Sequence, residues 1–331
     1  MTNHGNMYGP DFTFLGIERC DLDKPETYKD ADVVIVGAPI DSGTSHRSGA
    51  KFGPQAIRMG DYLPHDGERP HLALRTDGLK DMKVVDAGDL LMNGGNLEDS
   101  LALLAAATEK ISRAGAIAVI LGGDHSIASA DVAGIANHRG KGKISMVHFD
   151  AHADTGTDQW GALVGHGTPM RRLIENGHVR GDRFLQLGLR GYWPDDATLN
   201  WMRDQGMRSY EMTEIHHRGL KAVLDESFAT LTDGCDGVFL SVDIDVVDPG
   251  MAPGTGTPEP GGMTSRELLE AVRRICLELP VVGVDIVEVA PPFDSADITA
   301  ILANRVVLEA LSAIALRKKG GSYSPTRNLL D

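Results

Sequence analysis

Three short segments of the chain carry histidines and carboxylates at spacings suited to metal chemistry. They are Gly122-Gly123-Asp124-His125-Ser126, Asp150-Ala151-His152-Ala153-Asp154 and Ser241-Val242-Asp243-Ile244-Asp245-Val246-Val247-Asp248-Pro249. Each closes an apolar run. In the second, Asp150, His152 and Asp154 recur with period two, so a continuing strand projects all three from one face. Unpaired carboxylates are costly to bury, and a bound cation removes that cost. In the third, Asp243 and Asp245 stand two apart at the end of GVFLSVDID, where two carboxylates repel and perturb each other's titration. In the first, two glycines allow a sharp turn after IAVILG and leave His125 at a strand's C-terminal end, the edge where open α/β sheets bind ligands. His148 shares the parity of the second motif but lies deeper in its run, which points to a core or supporting role rather than ligation. Asp248-Pro249 reads as turn chemistry, so Asp248 shapes its loop.

The candidate ligands are therefore His125, Asp150, His152, Asp154, Asp243 and Asp245. A catalytic zinc takes about three protein ligands, so six residues fit two ions better, roughly 3.5 Å apart and sharing carboxylates. Hard oxygens with imidazoles suit Mn²⁺ and similar divalent metals. Competing motifs fail on spacing. A calcium loop starting at Asp150 needs an acidic twelfth residue and finds Gly161. There is no Gly-Lys-Ser/Thr phosphate loop, and Gly37-Ala38-Pro39 makes no dinucleotide fingerprint.

The elements that must hold these residues alternate along the chain. Continuous apolar runs at Ala31–Pro39, Lys83–Ala87, Ile117–Gly122, Ile144–Asp150, Phe184–Leu189, Gly237–Asp245 and Val281–Val289 read as strands buried on both faces, with a shorter one beginning at Arg208–Tyr210. Helical periodicity appears over Leu97–Ala114, Thr264–Leu279 and Ile298–Leu316. Thr264 with Glu267 has the spacing of a capping box, and Asp297 stands as a cap before the last helix. This alternation predicts one α/β domain, a parallel sheet between two helical layers. Residues 1–30 read as an N-terminal extension, 31–317 as the domain and 318–331 as a tail.

Composition narrows the function. The 331 residues are 42% hydrophobic and 24% charged, with a formal net charge of -15. That balance argues against nucleic acid as a partner and leaves a cationic small molecule open. Three scattered cysteines imply no disulfide framework, and Cys276 reads as a small buried residue. The first residues, MTNHGNMYGPDF, lack the basic and apolar regions of a signal peptide, and no apolar run reaches membrane-span length. A cytoplasmic protein with no membrane partner is the expectation.

With GGDHS, DAHAD and SVDIDVVDP in this order, the sequence resembles the ureohydrolases, the family of arginases and agmatinases, from about Val33 to Leu316. GTSHRSGAKFGPQAIR, HGTPMR and APGTGTPEPGG resemble the agmatinase branch. The resemblance implies an eight-stranded sheet and two Mn²⁺ per chain, with Ni²⁺ as the alternative. One ion would take His125, Asp150, Asp154 and Asp243; the other would take His152, Asp150, Asp243 and Asp245, with Asp150 and Asp243 bridging. Glu288, in VDIVEVAPP, matches the glutamate that holds a guanidinium, and His166 the histidine near the leaving amine. Arginases carry an Asn shortly after the DxHxD motif and Ser-Gly-Asn before the matching histidine. This chain has Thr155-Gly156-Thr157 and Leu163-Val164-Gly165 instead, so it lacks those grips on an α-carboxylate. Gly165 and Met170 depart from the usual agmatinase pattern and are expected to shape the pocket for the substrate tail. The implied reaction is hydrolysis of an agmatine-like or 4-guanidinobutyrate-like compound to urea and an amine. Alternatives are guanidine, substituted guanidines or biguanides as substrates, a formimino substrate, and a non-catalytic subunit supporting an active paralogue. The implied assembly is a homo-oligomer, a trimer or hexamer.

Overall fold

The computed structural model describes residues 5–62 and 68–327. The termini of the expected extension and tail, 1–4 and 328–331, lie outside the described residues, as does 63–67. The elements run β1 (Val33–Ala38), α1 (Gly53–Met59), β2 (Val84–Asp89), α2 (Leu97–Arg113), β3 (Ile117–Gly122), α3 (Ala128–Arg139), β4 (Ile144–Phe149), α4 (Pro169–Glu175) and β5 (Val179–Leu189). They continue with α5 (Asp196–Asp204), β6 (Arg208–Glu211), α6 (Met212–Arg218), α7 (Leu220–Thr232), β7 (Gly237–Asp243), α8 (Ser265–Glu278), β8 (Val281–Val287) and α9 (Ile298–Lys318).

The eight strands form one parallel sheet in the order β2-β1-β3-β8-β7-β4-β5-β6. Strands alternate their side chains between two cores. Val33, Ile35, Val119, Leu121, Val147 and Phe149 pack with α7, α8 and α9, whereas Val34, Val36, Ala118, Ile120, Ile144 and Met146 pack with α2 and α3. Burial on both faces is why these strands read as unbroken apolar runs rather than as alternations. The order makes β3, β8, β7 and β4 four adjacent central strands, so their C-terminal ends form one contiguous rim, the place where open α/β sheets bind ligands.

Several sequence expectations change in detail. β4 stops at Phe149, so Asp150–Asp154 is a loop, and Asp154 adopts a left-handed φ of 51°. The glycines before His125 serve close approach rather than a left-handed turn: a Cβ on Gly123 would lie 1.8 Å from the Ile40 carbonyl oxygen. The capping box at Thr264 and Glu267 is formed. Asp297 makes no capping hydrogen bond; Asp294 does so instead, accepting from the backbone N–H groups of Thr299 and Ala300. The extension is not wholly peripheral, because Phe14 is buried in the core and its N–H donates to Asp86 at 2.7 Å. Although no unbroken apolar run is long enough, α9 as a whole has the length and apolar composition of a membrane span. It is mostly buried within the core. Cys276 is buried, as a small apolar residue would be.

Beneath the sheet edge, Arg58 of α1 is fully buried between Asp86 (2.9 Å) and Asp89 (2.5 Å) of β2. Removing one partner of a buried ion cluster leaves uncompensated charge, a loss of about 3–5 kcal/mol. Arg58→Met is expected to destabilise the fold by about that amount in chemical denaturation, and a loss below about 1 kcal/mol would contradict a cooperative ion cluster.

Candidate active site

Four strand ends supply the candidate residues. The loop after β3 carries His125 on a single 3-10 turn, the loop after β4 carries Asp150 to Asp154, β7 ends at Asp243 with Asp245 in the following turn, and Glu288 follows β8. Gly188 of β5, with φ 116°, lets the Asp150 loop pass close, since a Cβ there would lie 2.8 Å from the Asp150 carbonyl oxygen. Arg190 fixes the turn after β7 by donating to the carbonyls of Asp245 (2.7 Å) and Glu259 (2.6 Å).

The side chains converge in two lobes. His125 Nδ1 lies 3.1 Å from Asp150 Oδ2, 3.0 Å from Asp154 Oδ2 and 3.2 Å from Asp243 Oδ2. His152 Nδ1 lies 3.4 Å from Asp150 Oδ1 and 3.1 Å from Asp245 Oδ2. Asp150 thus turns one oxygen to each lobe. All of these groups are buried except His152, whose side chain is 27% exposed. Donors about 2.1 Å from a common divalent ion lie about 3.0–3.4 Å from one another at octahedral to tetrahedral angles. The observed separations fall in that window.

The electrostatics call for positive charge. Burial, then the neighbouring Asp245 and Asp150 charges, push the Asp243 carboxyl well above its usual range, and burial and Asp150 also raise Asp245. Burial opposes charge on His125, yet the three aspartates around it raise it well above an ordinary histidine. At the partly exposed His152 desolvation likewise opposes charge, yet Asp245 and Asp150 lift the ring to about 12. Without metal, the imidazoles must carry protons to satisfy the carboxylates. A divalent cation in each lobe supplies that charge instead, so the residues present fit a two-ion centre.

His148 belongs to the surroundings of this cluster. Its Nδ1 accepts from Gln186 Nε2 at 3.1 Å, which leaves the proton on Nε2, 2.9 Å from Asp150 Oδ2. A protonated nitrogen donates to Asp150 and offers no lone pair to a metal. Asp248 accepts backbone N–H groups from Gly250, Gly261 and Gly262 and shapes the loop.

Beside the lobes, Glu288 sits at a left-handed φ of 62°, its N–H held by the Gly123 carbonyl at 2.9 Å. Its Oε1 accepts from the His125 backbone N–H at 2.8 Å and lies 3.0 Å from His166 Nδ1. Its Oε2 is buried with no hydrogen-bond partner among the described residues. His166 is positioned on its other side by Ser45, whose N and Oγ lie 3.0 and 2.6 Å from Nε2. Burial works against a charge on His166, but the Glu288 carboxylate outweighs it and lifts the ring to about 9.

A cavity of about 250 Å³ opens on His152, Asp154, His166 and Asp243, and is lined as well by Ser45, Gly167, Trp193 and Thr257. Larger cavities, such as one of about 580 Å³ beside Arg273 and Glu309, are lined by none of the six candidate ligands, nor by His166 or Glu288.

A family model described as the arginase family matches residues 31–313. The chain is 37% identical over 286 residues to a guanidinobutyrase of Pseudomonas aeruginosa, with 86% of each chain covered. It is 38% identical over 285 residues to a mitochondrial agmatinase of Gallus gallus, covering 86% of this chain and 81% of that one. A solved proclavaminate amidinohydrolase of Streptomyces clavuligerus superposes with a TM-score of 0.83 at 34% identity, covering 94% of this chain and 99% of the other. The chain belongs to the arginase family. The single α/β domain with an eight-stranded parallel sheet is the arginase fold.

Within this arginase-family site, neither of the two residues expected to shape the tail pocket, Gly165 and Met170, is among those that line the cavity. Met170 is fully buried in the core with Leu173 and Ile174, because α4 turns it inward. At Gly165 the space a side chain would occupy is filled by Gln159, whose Oε1 would be 2.5 Å from a Cβ. Gln159 also donates to the Gly43 carbonyl (2.8 Å) and accepts from Gly167 N–H (3.2 Å), joining the loops that carry Ser45 and His166. Ser45 and Thr257 lie within the GTSHRSGAKFGPQAIR and APGTGTPEPGG stretches without being singled out there, whereas Gln159 and Trp193 carry no readable signal, because each reaches the site through a loop outside any motif.

The His166–Glu288 pair has a measurable consequence. In metal-free protein, NMR titration of His166 is expected near 9, and in Glu288→Gln clearly lower, because burial is then opposed only by the Asp154 and Asp124 charges. Because the folded value lies above the unfolded one, this pair's stabilisation is complete below about pH 6.5 and fades as pH rises through about 9. An unchanged midpoint in Glu288→Gln would remove Glu288 as the cause.

Proposed function

We propose that the protein is an amidinohydrolase that binds two divalent ions, Mn²⁺ in the first instance, and cleaves a small guanidino compound to urea and an amine. The observation that carries this reading is the unpartnered, buried Glu288 Oε2 beside a two-lobed ligand cluster. His125, Asp150, Asp154 and Asp243 would hold one ion, and His152, Asp150, Asp243 and Asp245 the other. The two faces of Asp150 support its role as a bridge. When bound, two such ions acidify a shared water and stabilise developing negative charge.

The chain's own residues do the rest. A guanidinium is cationic and planar, and the free oxygen of Glu288 meets its N–H groups through a charge-assisted hydrogen bond. Because Oε1 is already tied to the His125 backbone, that grip places the substrate carbon in register with the metal ligands. His166 stands at the cavity wall with its proton shared toward Glu288. Substrate binding neutralises the Glu288 charge that raises His166, so its proton becomes easier to release to the departing amine.

No Lys or Arg is among the described residues lining the cavity, and its volume is small. Those two facts favour a short or uncharged tail over a carboxylate-bearing one, so a small substituted guanidine is the second reading.

Metal analysis of the reconstituted protein is expected to find two ions per chain, with Asp150→Ala and Asp243→Ala losing both metal and urea release. His166→Ala should lower kcat by roughly 10²-fold or more at full metal content; loss of metal instead would make His166 structural. Urea release is to be screened with agmatine, 4-guanidinobutyrate, arginine, guanidine and biguanides, with Mn²⁺ and with Ni²⁺. No urea from any of them, or formamide from a formimino compound, would overturn the proposal.

A further inference from the structure

Two buried carboxyl groups lie behind the ligand cluster and take no part in it. Asp285 on β8 and Asp131 on α3 both have 0% exposure. Asp285 Oδ1 accepts from Ser241 Oγ at 2.7 Å and from the Val242 N–H at 3.2 Å. Ser241 Oγ in turn lies 2.9 Å from His125 Nε2. Since the serine proton goes to Asp285, the serine oxygen accepts the Nε2–H of His125, and Nδ1 is left bare toward Asp150, Asp154 and Asp243.

The far oxygens of the two carboxyls, Asp285 Oδ2 and Asp131 Oδ2, are buried and meet no donor among the described residues. The two side chains meet where α3 packs on β8 and act on each other's titration at hydrogen-bonding range. Two ionised carboxylates are not stable in that position, and one proton between them satisfies both oxygens. Asp131 is the holder by burial and by the adjoining Asp285 charge, which push it well above the usual carboxyl range. Asp285 has two further donors to stabilise its charge.

We propose that Asp131 is a protonated carboxylic acid that donates to ionised Asp285, and that this pair, through Ser241, fixes the His125 tautomer that offers Nδ1 to a metal. Asp131 and Asp285 are positioning residues. The consequence for metal affinity rests on the reading of His125 as a ligand, whereas the shared proton does not.

The two parts are tested separately. Infrared spectra of the whole wild-type chain with ¹³C-labelled aspartate should contain the carbonyl stretch of a protonated carboxyl at neutral pH, metal-free and metal-loaded alike. The wild-type minus Asp131→Asn difference spectrum should show the loss of one such carboxyl band; a difference spectrum with no loss overturns the proposal. For the affinity, Mn²⁺ titration calorimetry compares Asp131→Leu with Asp131→Asn. The amide still donates to Asp285 and keeps its charge, whereas leucine leaves Asp285 to take up the proton itself. Leucine should weaken Mn²⁺ binding by about 10- to 100-fold, the usual effect of an outer hydrogen-bond partner, and asparagine should recover most of it. Equal loss in both variants, or in neither, overturns the positioning role. Failure of wild-type protein to bind Mn²⁺ would sink the metal-site reading while leaving the infrared result to judge the shared proton.

Discussion

Four buried aspartates, the buried His125 and the partly exposed His152 crowd one rim of the sheet, and the rest of the site follows from that crowding. Each buried carboxylate costs several kcal/mol unless it is compensated. His125 faces three carboxylate oxygens and His152 faces two, so each lobe calls for positive charge at its centre. The backbone is arranged to impose this concentration. Strand order places the ends of β3, β8, β7 and β4 side by side. Asp154 and Glu288 both sit at left-handed φ, a cost of about 1–3 kcal/mol each that persists only where surrounding contacts hold it.

Much of this was legible in the sequence, for identifiable reasons. A parallel sheet covered on both faces leaves unbroken apolar runs, and β1, β3, β4, β7 and β8 were readable on that account. Helices α2, α8 and α9 showed their periodicity over many turns, whereas α4 and α6 have seven residues each, too few for a pattern to emerge. The metal motifs were readable because histidines and aspartates at the end of an apolar run have few structural uses. Their convergence was right, but not by the expected route. Parity along a strand suggested one face for Asp150, His152 and Asp154, while the structure reaches the same meeting point with a loop and a left-handed residue.

The failures share a cause: tertiary neighbours decided them. Asp297 precedes the last helix in sequence, yet Asp294 folds back to cap it. Met170 looks like a pocket residue when placed by motif, but the inward face of α4 takes it into the core. Gly165 creates room that Gln159 fills, and that glutamine is brought there by a bridge between Gln159 and Ala162. Such contacts leave no periodic or compositional trace.

Glu288 links the site's parts. One carboxylate oxygen accepts the backbone N–H of His125 and meets the ring of His166, so the loops after β3 and β8 and the histidine loop share a single point of reference. The other oxygen is buried with no hydrogen-bond partner among the described residues. On the proposed reading, a cation gripped there would be registered to the candidate metal-ligand loop by one rigid group rather than by a chain of flexible side chains, which would reduce the positional freedom lost on binding. The same economy explains the uneven legibility of the cavity. Glu288 follows a strand end that the sequence pattern marks. Trp193 and Thr257 line the cavity from loops, which carry no periodic signal.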